Sequence, residues 1–260
     1  MRLAVAGKGG SGKTTISATL ARSLARGDFE VVAIDGDPNP NLGAALGIGR
    51  ADRDGLRPLS RTLVREEELE GGRVRLRLTK PLMEVAREYG VLGPDGVRLM
   101  LTTQIEHAGG GCVCSAHAVV RDIIGAAEPS DREVILLDME ASLEHMGRGT
   151  MRDVETLVIV TEPYFRSLES AGRLHALATE LKIPRVVAVA NKVRNSEEEQ
   201  AINDFCGKRG LEVAAVIPFD PEVTRADNHD RALIDAAPDS AAARLISGLV
   251  TALLGAQEVA

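Results

Sequence analysis

The sequence is poor in aromatic residues and contains no tryptophan. Among its 260 residues, two are Tyr and four are Phe, whereas hydrophobic residues of all kinds make up 44%. Leu, Val, Ile and Ala must therefore fill the core. A chain of this length can bury a full core, and its length favours one large α/β domain spanning residues 1–260 over two separate domains.

The sequence also lacks an excess of positive charge. Its 31 Lys and Arg residues are outnumbered by 38 Asp and Glu residues, and the formal net charge is -7 at pH 7. A protein that binds nucleic acid through its phosphates needs a basic face. We therefore expect no nucleic-acid partner.

Long apolar runs and a disulfide framework are missing as well. No apolar run reaches the roughly 18 residues of a membrane span, and the N-terminus is typical of a core strand rather than a signal peptide. Of the three cysteines, Cys112 and Cys114 are one residue apart and Cys206 is expected to be an isolated helix residue, so no disulfide framework forms. We expect a cytoplasmic protein. A stable membrane anchor is not expected, because the apolar end of the chain at 244–254 carries a single Arg.

The first fifteen residues contain a glycine-rich motif between a predicted strand and a predicted helix. An apolar segment at 1–6 runs into residues 7–15 (GKGGSGKTT), and a helical pattern follows at once. The spacing G-x-x-x-x-G-K-[ST] lets backbone N–H groups point at phosphate oxygens at the positive end of the helix. Lys13 then contacts the β- and γ-phosphates and the Thr14 hydroxyl binds Mg²⁺. The loop residues expected around the phosphates are Gly9, Gly10, Ser11, Gly12, Lys13, Thr14 and Thr15. Lys8 is a second lysine that the motif does not require.

Two acidic residues follow apolar strands. Asp37 comes after the strand at 30–34, and Asp138 ends the apolar segment Glu133–Asp138. Ligands of open α/β sheets bind at the carboxyl ends of the strands, so both carboxylates are candidates for the nucleotide site. Asp138 is expected near Mg²⁺. The alternatives are a helix N-cap for Asp37 and an ordinary strand-end acid for Asp138.

Cys112 and Cys114 form a C-x-C pair after the glycines at 109–111. On an extended backbone, side chains at i and i+2 point to the same side and can hold one soft cation together. The alternative is a pair of small buried residues. A four-coordinate metal needs two more ligands, which either His107 and His117 or the same cysteine pair from a second copy of the chain could supply.

Strand and helix patterns alternate along most of the chain. The sequence therefore predicts an α/β fold with a single doubly wound, mostly parallel sheet of seven or eight strands and helices on both faces. Residues 47–96 depart from this alternation, and we expect an irregular insertion there with one short helix at 82–89. The predicted parallel strands lie at 1–6, 30–34, 97–103, 133–138, 156–161, 185–190 and 211–217.

Several motifs together resemble the deviant Walker A ATPases, a group of P-loop NTPases that includes the division-site selection ATPase, the nitrogenase iron protein and the arsenite-pump ATPase. These motifs are the loop at 7–15 with Lys8, Asp35-Gly36-Asp37, the strand ending in Asp138, Asn191-Lys192 and Pro218-Phe219-Asp220. Within this group, the C-x-C pair and the segment at 138–150 (DMEASLEHMGRGT) are similar to the nickel-insertion accessory ATPases of carbon monoxide dehydrogenase. Two residues depart from that family's usual pattern, namely Ser142 in place of a glycine and Ser115 after the C-x-C.

The resemblance implies an ATPase that closes as a homodimer on ATP and Mg²⁺. Ni²⁺ or Zn²⁺ would be held by the C-x-C pairs of both subunits, and the cycle would deliver nickel to apo carbon monoxide dehydrogenase or a related nickel enzyme. It further implies that Lys8 reaches the phosphates of the partner's ATP, Lys13 binds phosphate, Asp37 positions the attacking water and Asp138 supports Mg²⁺. Around the nucleotide base it places Asn191, Lys192, Pro218 and Phe219.

Two other functions are compatible with the same motifs. One is a positioning switch like the division-site ATPase, which usually needs a basic amphipathic helix at its end as a lipid anchor. The other is an iron–sulfur carrier or reductase component, in which the cysteine pair of each subunit would hold a cluster.

Overall fold

The computed structural model describes residues 1–37, 39–57, 59–69, 73–102, 113–139 and 151–255. Eight of its strands form one sheet, and two more form a separate hairpin. The strands are β1 (Arg2–Gly7), β2 (Glu30–Asp35), β3 (Val64–Leu69), β4 (Arg73–Leu78), β5 (Val91–Leu92), β6 (Arg98–Leu101), β7 (Glu133–Asp138), β8 (Thr156–Thr161), β9 (Arg185–Val193) and β10 (Glu212–Pro218).

Helices cover both faces of this sheet. In the described residues they are α1 (Lys13–Arg26), α2 (Leu42–Leu46), α3 (Arg50–Arg53), α4 (Leu82–Tyr89), α5 (Val113–Ala126), α6 (Phe165–Glu180), α7 (Ser196–Gly207), α8 (Pro221–Asp227), α9 (Leu233–Ala236) and α10 (Ala241–Leu254). No helix in this part of the chain is long and apolar enough to cross a membrane.

The order of the large sheet is β10-β9-β8-β1-β7-β2-β6-β5. All neighbouring strands are parallel except β5, a two-residue edge strand that runs antiparallel to β6. The predicted doubly wound, mostly parallel sheet is thus confirmed. Because the chain passes from β1 to β2 across the later strand β7, the carboxyl ends of these three strands converge at a topological switch point.

The core consists of two apolar layers, one on each face of the sheet. Along β1, Leu3 and Val5 belong to the layer that includes α1 and α10, whereas Ala4 and Ala6 belong to the opposite layer. Since both faces are buried, the strands are continuous apolar runs rather than alternating ones. The buried apolar residues in the described ranges are aliphatic with the exception of Met and Cys206, as the scarcity of aromatic residues requires.

Helix α1 follows the predicted pattern. Ile16, Leu20 and Leu24 are each at most 1% exposed, and Gly27 forms the C-cap. On the same helix, the buried Arg22 donates to Asp95 at 2.7 Å and pairs with Asp235. These contacts tie α1 to the turn before β6 and to α9.

Residues 47–96 contain more regular structure than the sequence indicates. The predicted helix at 82–89 is α4. The segment also contains α3 and the antiparallel hairpin β3–β4, which packs against α5. This hairpin escapes prediction because β3 includes three consecutive glutamates, a residue type depleted in strands, and most of its residues are exposed.

Candidate functional site

The phosphate loop connects β1 to α1 at the centre of the sheet. Gly12 adopts φ +93°, a left-handed conformation that favours glycine, and forms the N-cap of α1. The Ser11 N–H donates to the carbonyl of Lys8 at 3.0 Å, which closes the loop on itself. The loop therefore carries its backbone N–H groups to the N-terminus of a 14-residue helix, which is an anion-binding geometry.

Lys13 and Thr14 open α1 next to this loop. Lys13 is only 7% exposed, and its ammonium lies 3.4 Å from the Lys8 carbonyl oxygen. The ammonium thus lies against the inside of the loop. Thr14 is half-buried, and its side chain lies close enough to Asp138 to lower the pKa of that carboxyl.

Asp138 lies at the end of β7, directly beside β2. It is 2% exposed and accepts a hydrogen bond from the Ser17 hydroxyl at 2.9 Å. Burial raises the pKa of this carboxyl, while the hydrogen bonds from Thr14 and Ser17 and the charge of Lys13 act in the opposite direction. Ser17 belongs to no motif of the sequence, although it lies one helical turn after Lys13 and so faces the same side of α1.

Asp35 is the neighbour of Asp138 across the sheet, and the two residues are directly paired in register. Asp35 is 1% exposed. Burial, followed by the nearby charge of Asp138, raises the pKa of Asp35 to about 7. Two buried carboxyls on adjacent parallel strands are thus concentrated beside the phosphate loop.

The Asp35 carboxylate also holds the loop that follows β2. Its oxygens accept from the N–H of Asp37 at 3.1 Å and from the N–H of Leu42, the first residue of α2, at 2.8 Å. The sequence pattern pointed to Asp37 and not to Asp35 as the functional acid. Strand pairing could have identified Asp35, because Asp35 and Asp138 each end an apolar strand and these two strands are neighbours in the sheet.

Asp37 lies on this loop with its side chain half-buried. Its carboxylate accepts from the Asn39 N–H at 2.8 Å. The N-cap of α2 is Asn41, and the N–H of Leu42 is satisfied by Asp35, so Asp37 does not cap this helix. The loop therefore presents Asp37 from the carboxyl edge of the sheet, next to β7.

Lys8 and Lys192 contact the loop between β8 and α6. The Lys192 ammonium donates to the Gly10 carbonyl at 2.5 Å and pairs with Glu162 at 2.9 Å. Lys8 donates to the Tyr164 hydroxyl at 3.3 Å. Glu162 and Tyr164 were not predicted from the sequence, because they belong to no recognised motif.

A pocket lies next to the phosphate loop, and we call it the side pocket. Its walls come from the start of α1, the ends of β9 and β10, α8 and α10. The four residues predicted to surround the base all line this pocket. Helix α10 adds Ala242 and Ile246, which were not predicted. The lining residues are Gly12, Thr15, Ile16, Asn191, Lys192, Ile217, Pro218, Phe219, Asp220, Val223, Thr224, Ala242 and Ile246.

Two side chains shape this pocket. The Asn191 amide donates to the Ser11 carbonyl at 2.7 Å, so Asn191 supports the phosphate loop as well as lining the pocket. Phe219 is 45% exposed, and the Arg194 guanidinium lies 4.5 Å from its ring centroid. The apolar pocket with amide and aromatic groups at its mouth suits a flat heterocycle.

The cysteine pair is only partly covered by the structure. Cys112 lies outside the described residues, as do His107 and residues 140–150 with Ser142. Cys114 lies in the first turn of α5, of which only the backbone is described there. The extended backbone expected for the pair therefore does not hold at Cys114, because α5 already begins at Val113.

Within the described ranges, no group of three or more His, Cys, Asp or Glu side chains is arranged to hold a metal ion. Cys206 is fully buried in α7, as expected for an isolated helix residue. A site with one or two carboxylates and a threonine hydroxyl still fits Mg²⁺, since this ion keeps several waters and takes further oxygens from phosphates.

Comparison with known proteins gives a consistent result. Residues 3–234 match the CobQ/CobB/MinD/ParA nucleotide-binding domain. Carbon monoxide dehydrogenase accessory protein CooC from Rhodospirillum rubrum is 36% identical over 244 residues, which cover 92% of this chain and 91% of that protein. An uncharacterized ATP-binding protein from Methanocaldococcus jannaschii is 34% identical over 236 residues, covering 87% and 88%.

Solved structures share the fold. The septum site-determining protein MinD from Pyrococcus horikoshii, complexed with Mg-ADP, superposes with a TM-score of 0.72 at 20% identity, over 100% of this chain and 98% of that one. MinD from Pyrococcus furiosus superposes with a TM-score of 0.73 at 22% identity, over 100% and 99%.

Proposed function

Because this chain belongs to the CobQ/CobB/MinD/ParA family of P-loop ATP-binding proteins, we propose that it hydrolyses ATP as a homodimer and delivers nickel to carbon monoxide dehydrogenase or a related nickel enzyme. The observation that carries the proposal of hydrolysis is the convergence of Lys13, Asp37 and Asp138 on the phosphate loop at the switch point of the sheet. Likeness to CooC supports the metal-delivery part.

In the proposed reaction, the loop and Lys13 bind the phosphates of ATP. The Thr14 hydroxyl and the Asp138 carboxylate would hold Mg²⁺, which would neutralise negative charge on the phosphates. The chemistry of the donor set fits this ion, because the buried Asp138 carboxylate is already oriented by Thr14 and Ser17. A nearby divalent cation also offsets the crowding of Asp35 and Asp138.

Asp37 is the proposed orienting group for the attacking water. Its backbone N–H is fixed by Asp35, and its carboxylate, which accepts from the Asn39 N–H, lies on the loop that follows β2. A water that is already oriented loses less entropy on reaching the transition state, and this entropy loss is one reason why the uncatalysed reaction is slow. In this scheme Asp37 needs no strong basicity, since phosphoryl transfer depends mainly on positioning and electrostatic stabilisation.

Lys8 acts across the dimer in the proposed scheme. It contributes a cation to the phosphates of the partner's ATP, where charge develops in the transition state. The side pocket accepts adenine, with Asn191 and Lys192 linking it to the phosphate loop and Pro218 and Phe219 forming its rim.

Cys112 and Cys114 are the proposed ligands of the delivered metal. One pair per subunit gives four thiolates across a two-fold axis, a set that soft or borderline cations such as Ni²⁺ and Zn²⁺ accept. Opening and closing of the dimer with ATP would release and bind this cargo. Apo carbon monoxide dehydrogenase or a related nickel enzyme is the proposed client.

Metal analysis tests this proposal. Purified protein with ATP is expected to bind about one Ni²⁺ or Zn²⁺ per dimer, and the double variant Cys112→Ala with Cys114→Ala is expected to bind none. Cys206→Ala is the matched control, because it removes a buried thiol elsewhere and should keep the full metal content. Unchanged stoichiometry in the double variant would refute the metal site while leaving ATP hydrolysis to be judged by its own assay.

A further inference from the structure

The ammonium of Lys8 is held by a tyrosine of its own subunit. Its Nζ atom lies 3.3 Å from the Tyr164 hydroxyl oxygen and 5.3 Å from the centroid of the Tyr164 ring. Both distances describe favourable contacts, namely a hydrogen bond and a cation–π interaction. The Lys8 backbone is fixed as well, since its carbonyl accepts from the Ser11 N–H.

Tyr164 is itself oriented by a buried acid. Its hydroxyl donates to Glu162 at 3.0 Å, which leaves the oxygen lone pairs directed to Lys8. Glu162 is 9% exposed, and its backbone N–H donates to the Ser167 hydroxyl at 2.9 Å. Tyr164 thus has a defined hydroxyl direction even though 40% of its surface is exposed.

Two lysines, Lys8 and Lys192, lie beside Glu162 and Tyr164, and Glu162 pairs with only one of them. Glu162 forms its ion pair with Lys192 at 2.9 Å. Among the described residues, no carboxylate lies within ion-pair distance of Lys8. Lys8 therefore receives a neutral oxygen and an aromatic face, which restrain its position but leave its positive charge available for an anion.

We propose that Tyr164, oriented by Glu162, is a positioning residue that presents the Lys8 ammonium to the phosphates of the partner subunit's nucleotide. The inference rests on the proposed intersubunit role of Lys8 and adds the residue that supports it. A lysine side chain loses much rotamer freedom when it is immobilised, and a side chain restrained before the partner arrives loses less. The ammonium has three donors, so the bond to Tyr164 leaves two for phosphate oxygens.

Mixed dimers test this inference. A Lys8→Ala chain keeps its own hydrolytic site but needs a lysine from its partner, whereas an Asp37→Ala chain has an inactive site but can donate its Lys8. Mixing the two is expected to give ATPase activity that neither has alone. Tyr164→Phe is then placed in either chain. In the Asp37→Ala chain it should lower kcat about three-fold, and Tyr164→Ala about ten-fold, with KM for ATP unchanged.

The same substitution in the Lys8→Ala chain provides the internal control. There Tyr164 has no lysine to position, so Tyr164→Phe should leave kcat unchanged. Tyr89→Phe in the Asp37→Ala chain removes the only other tyrosine hydroxyl and should also have no effect. An equal loss from both chains, or no loss from the Asp37→Ala chain, would overturn the positioning role. An inactive parent mixture would refute the intersubunit role of Lys8 itself, and with it this inference.

Discussion

At the scale of a single residue, Gly12 determines the conformation of the phosphate loop. A Cβ atom at this position would lie 2.3 Å from the Asn191 amide nitrogen, and the φ of +93° strains any other side chain. We expect Gly12→Ala to abolish measurable ATP binding and to lower the free energy of unfolding by about 1–3 kcal/mol. Isothermal titration calorimetry and urea denaturation measure the two effects.

Gly207, the last residue of α7, is the control for this variant. A Cβ atom there would have no neighbour within 4 Å, and the residue lies outside the phosphate loop. Gly207→Ala should therefore keep ATP binding and stability. Equal ATP affinities for the two alanine variants would contradict the view that Asn191 and Gly12 together fix the loop.

Asp35 gives the folded protein a specific pH dependence. Its folded-state pKa of about 7 lies above the usual value of 3.8 for an aspartate, so the folded state binds a proton between these limits that the unfolded state does not. The contribution of Asp35 to stability is therefore greatest at low pH and is lost as pH rises from about 4 to about 7. Between pH 5 and pH 7.5 we expect a loss of roughly 2 kcal/mol from this group.

Urea denaturation of the nucleotide-free protein at both pH values measures this loss. Asp35→Asn removes the titrating group, so the variant should lose less stability than the wild type over the same interval. If both proteins changed by the same amount, the raised pKa of Asp35 would be wrong. The sequence did not reveal this difference between Asp35 and Asp37, because only the course of the loop makes one acid buried and the other accessible.

At the scale of elements, Arg22 connects α1 to the turn before β6 and to α9. It lies on α1, is 3% exposed on its side chain, and contacts Asp95 before β6 and Asp235 in α9. Burial alone lowers the pKa of Arg22, but the two aspartates raise it above its usual value, so the guanidinium stays charged. Removing one partner of a buried ion pair leaves uncompensated charge and polar groups.

We therefore expect Arg22→Ala to lower the free energy of unfolding by about 2 kcal/mol, because the two aspartates left without Arg22 are partly exposed and partly solvated. Arg26→Ala is the control, because Arg26 contacts the same aspartates but is 44% exposed, and surface pairs contribute about 0–1 kcal/mol. Chemical denaturation compares the two variants. A larger loss from Arg26→Ala than from Arg22→Ala would contradict the assigned role of burial.

The elements differ in how far the sequence predicts them. The parallel strands are continuous apolar runs such as Thr156–Thr161, and burial on both faces makes them recognisable without knowledge of their neighbours. The hairpin Val64–Leu69 and Arg73–Leu78 has no such pattern, because its stability comes from packing against α5, a long-range contact. The cluster of Glu162, Tyr164 and Lys8 is likewise assembled from distant segments, so motif spacing does not reveal it.

At the scale of the whole molecule, Lys8 is the residue whose proposed role needs two chains. Lys8→Ala should keep ATP binding, because the loop and Lys13 remain, but should lose hydrolysis and ATP-driven dimer closure by at least about 100-fold in rate. Steady-state ATPase assays and sedimentation with ATP measure both properties. Wild-type turnover in this variant would refute the intersubunit role.

Activation of a client enzyme shows whether an ATP-driven cycle delivers nickel through the C-x-C pair. Nickel-loaded protein is incubated with nickel-free carbon monoxide dehydrogenase and either ATP or a non-hydrolysable analogue, and CO oxidation is measured. We expect activation with ATP, little activation with the analogue, and little from the double variant Cys112→Ala with Cys114→Ala. Activation by that variant equal to the wild type, or by wild type no greater than by the same amount of free Ni²⁺, would contradict nickel delivery by this cycle.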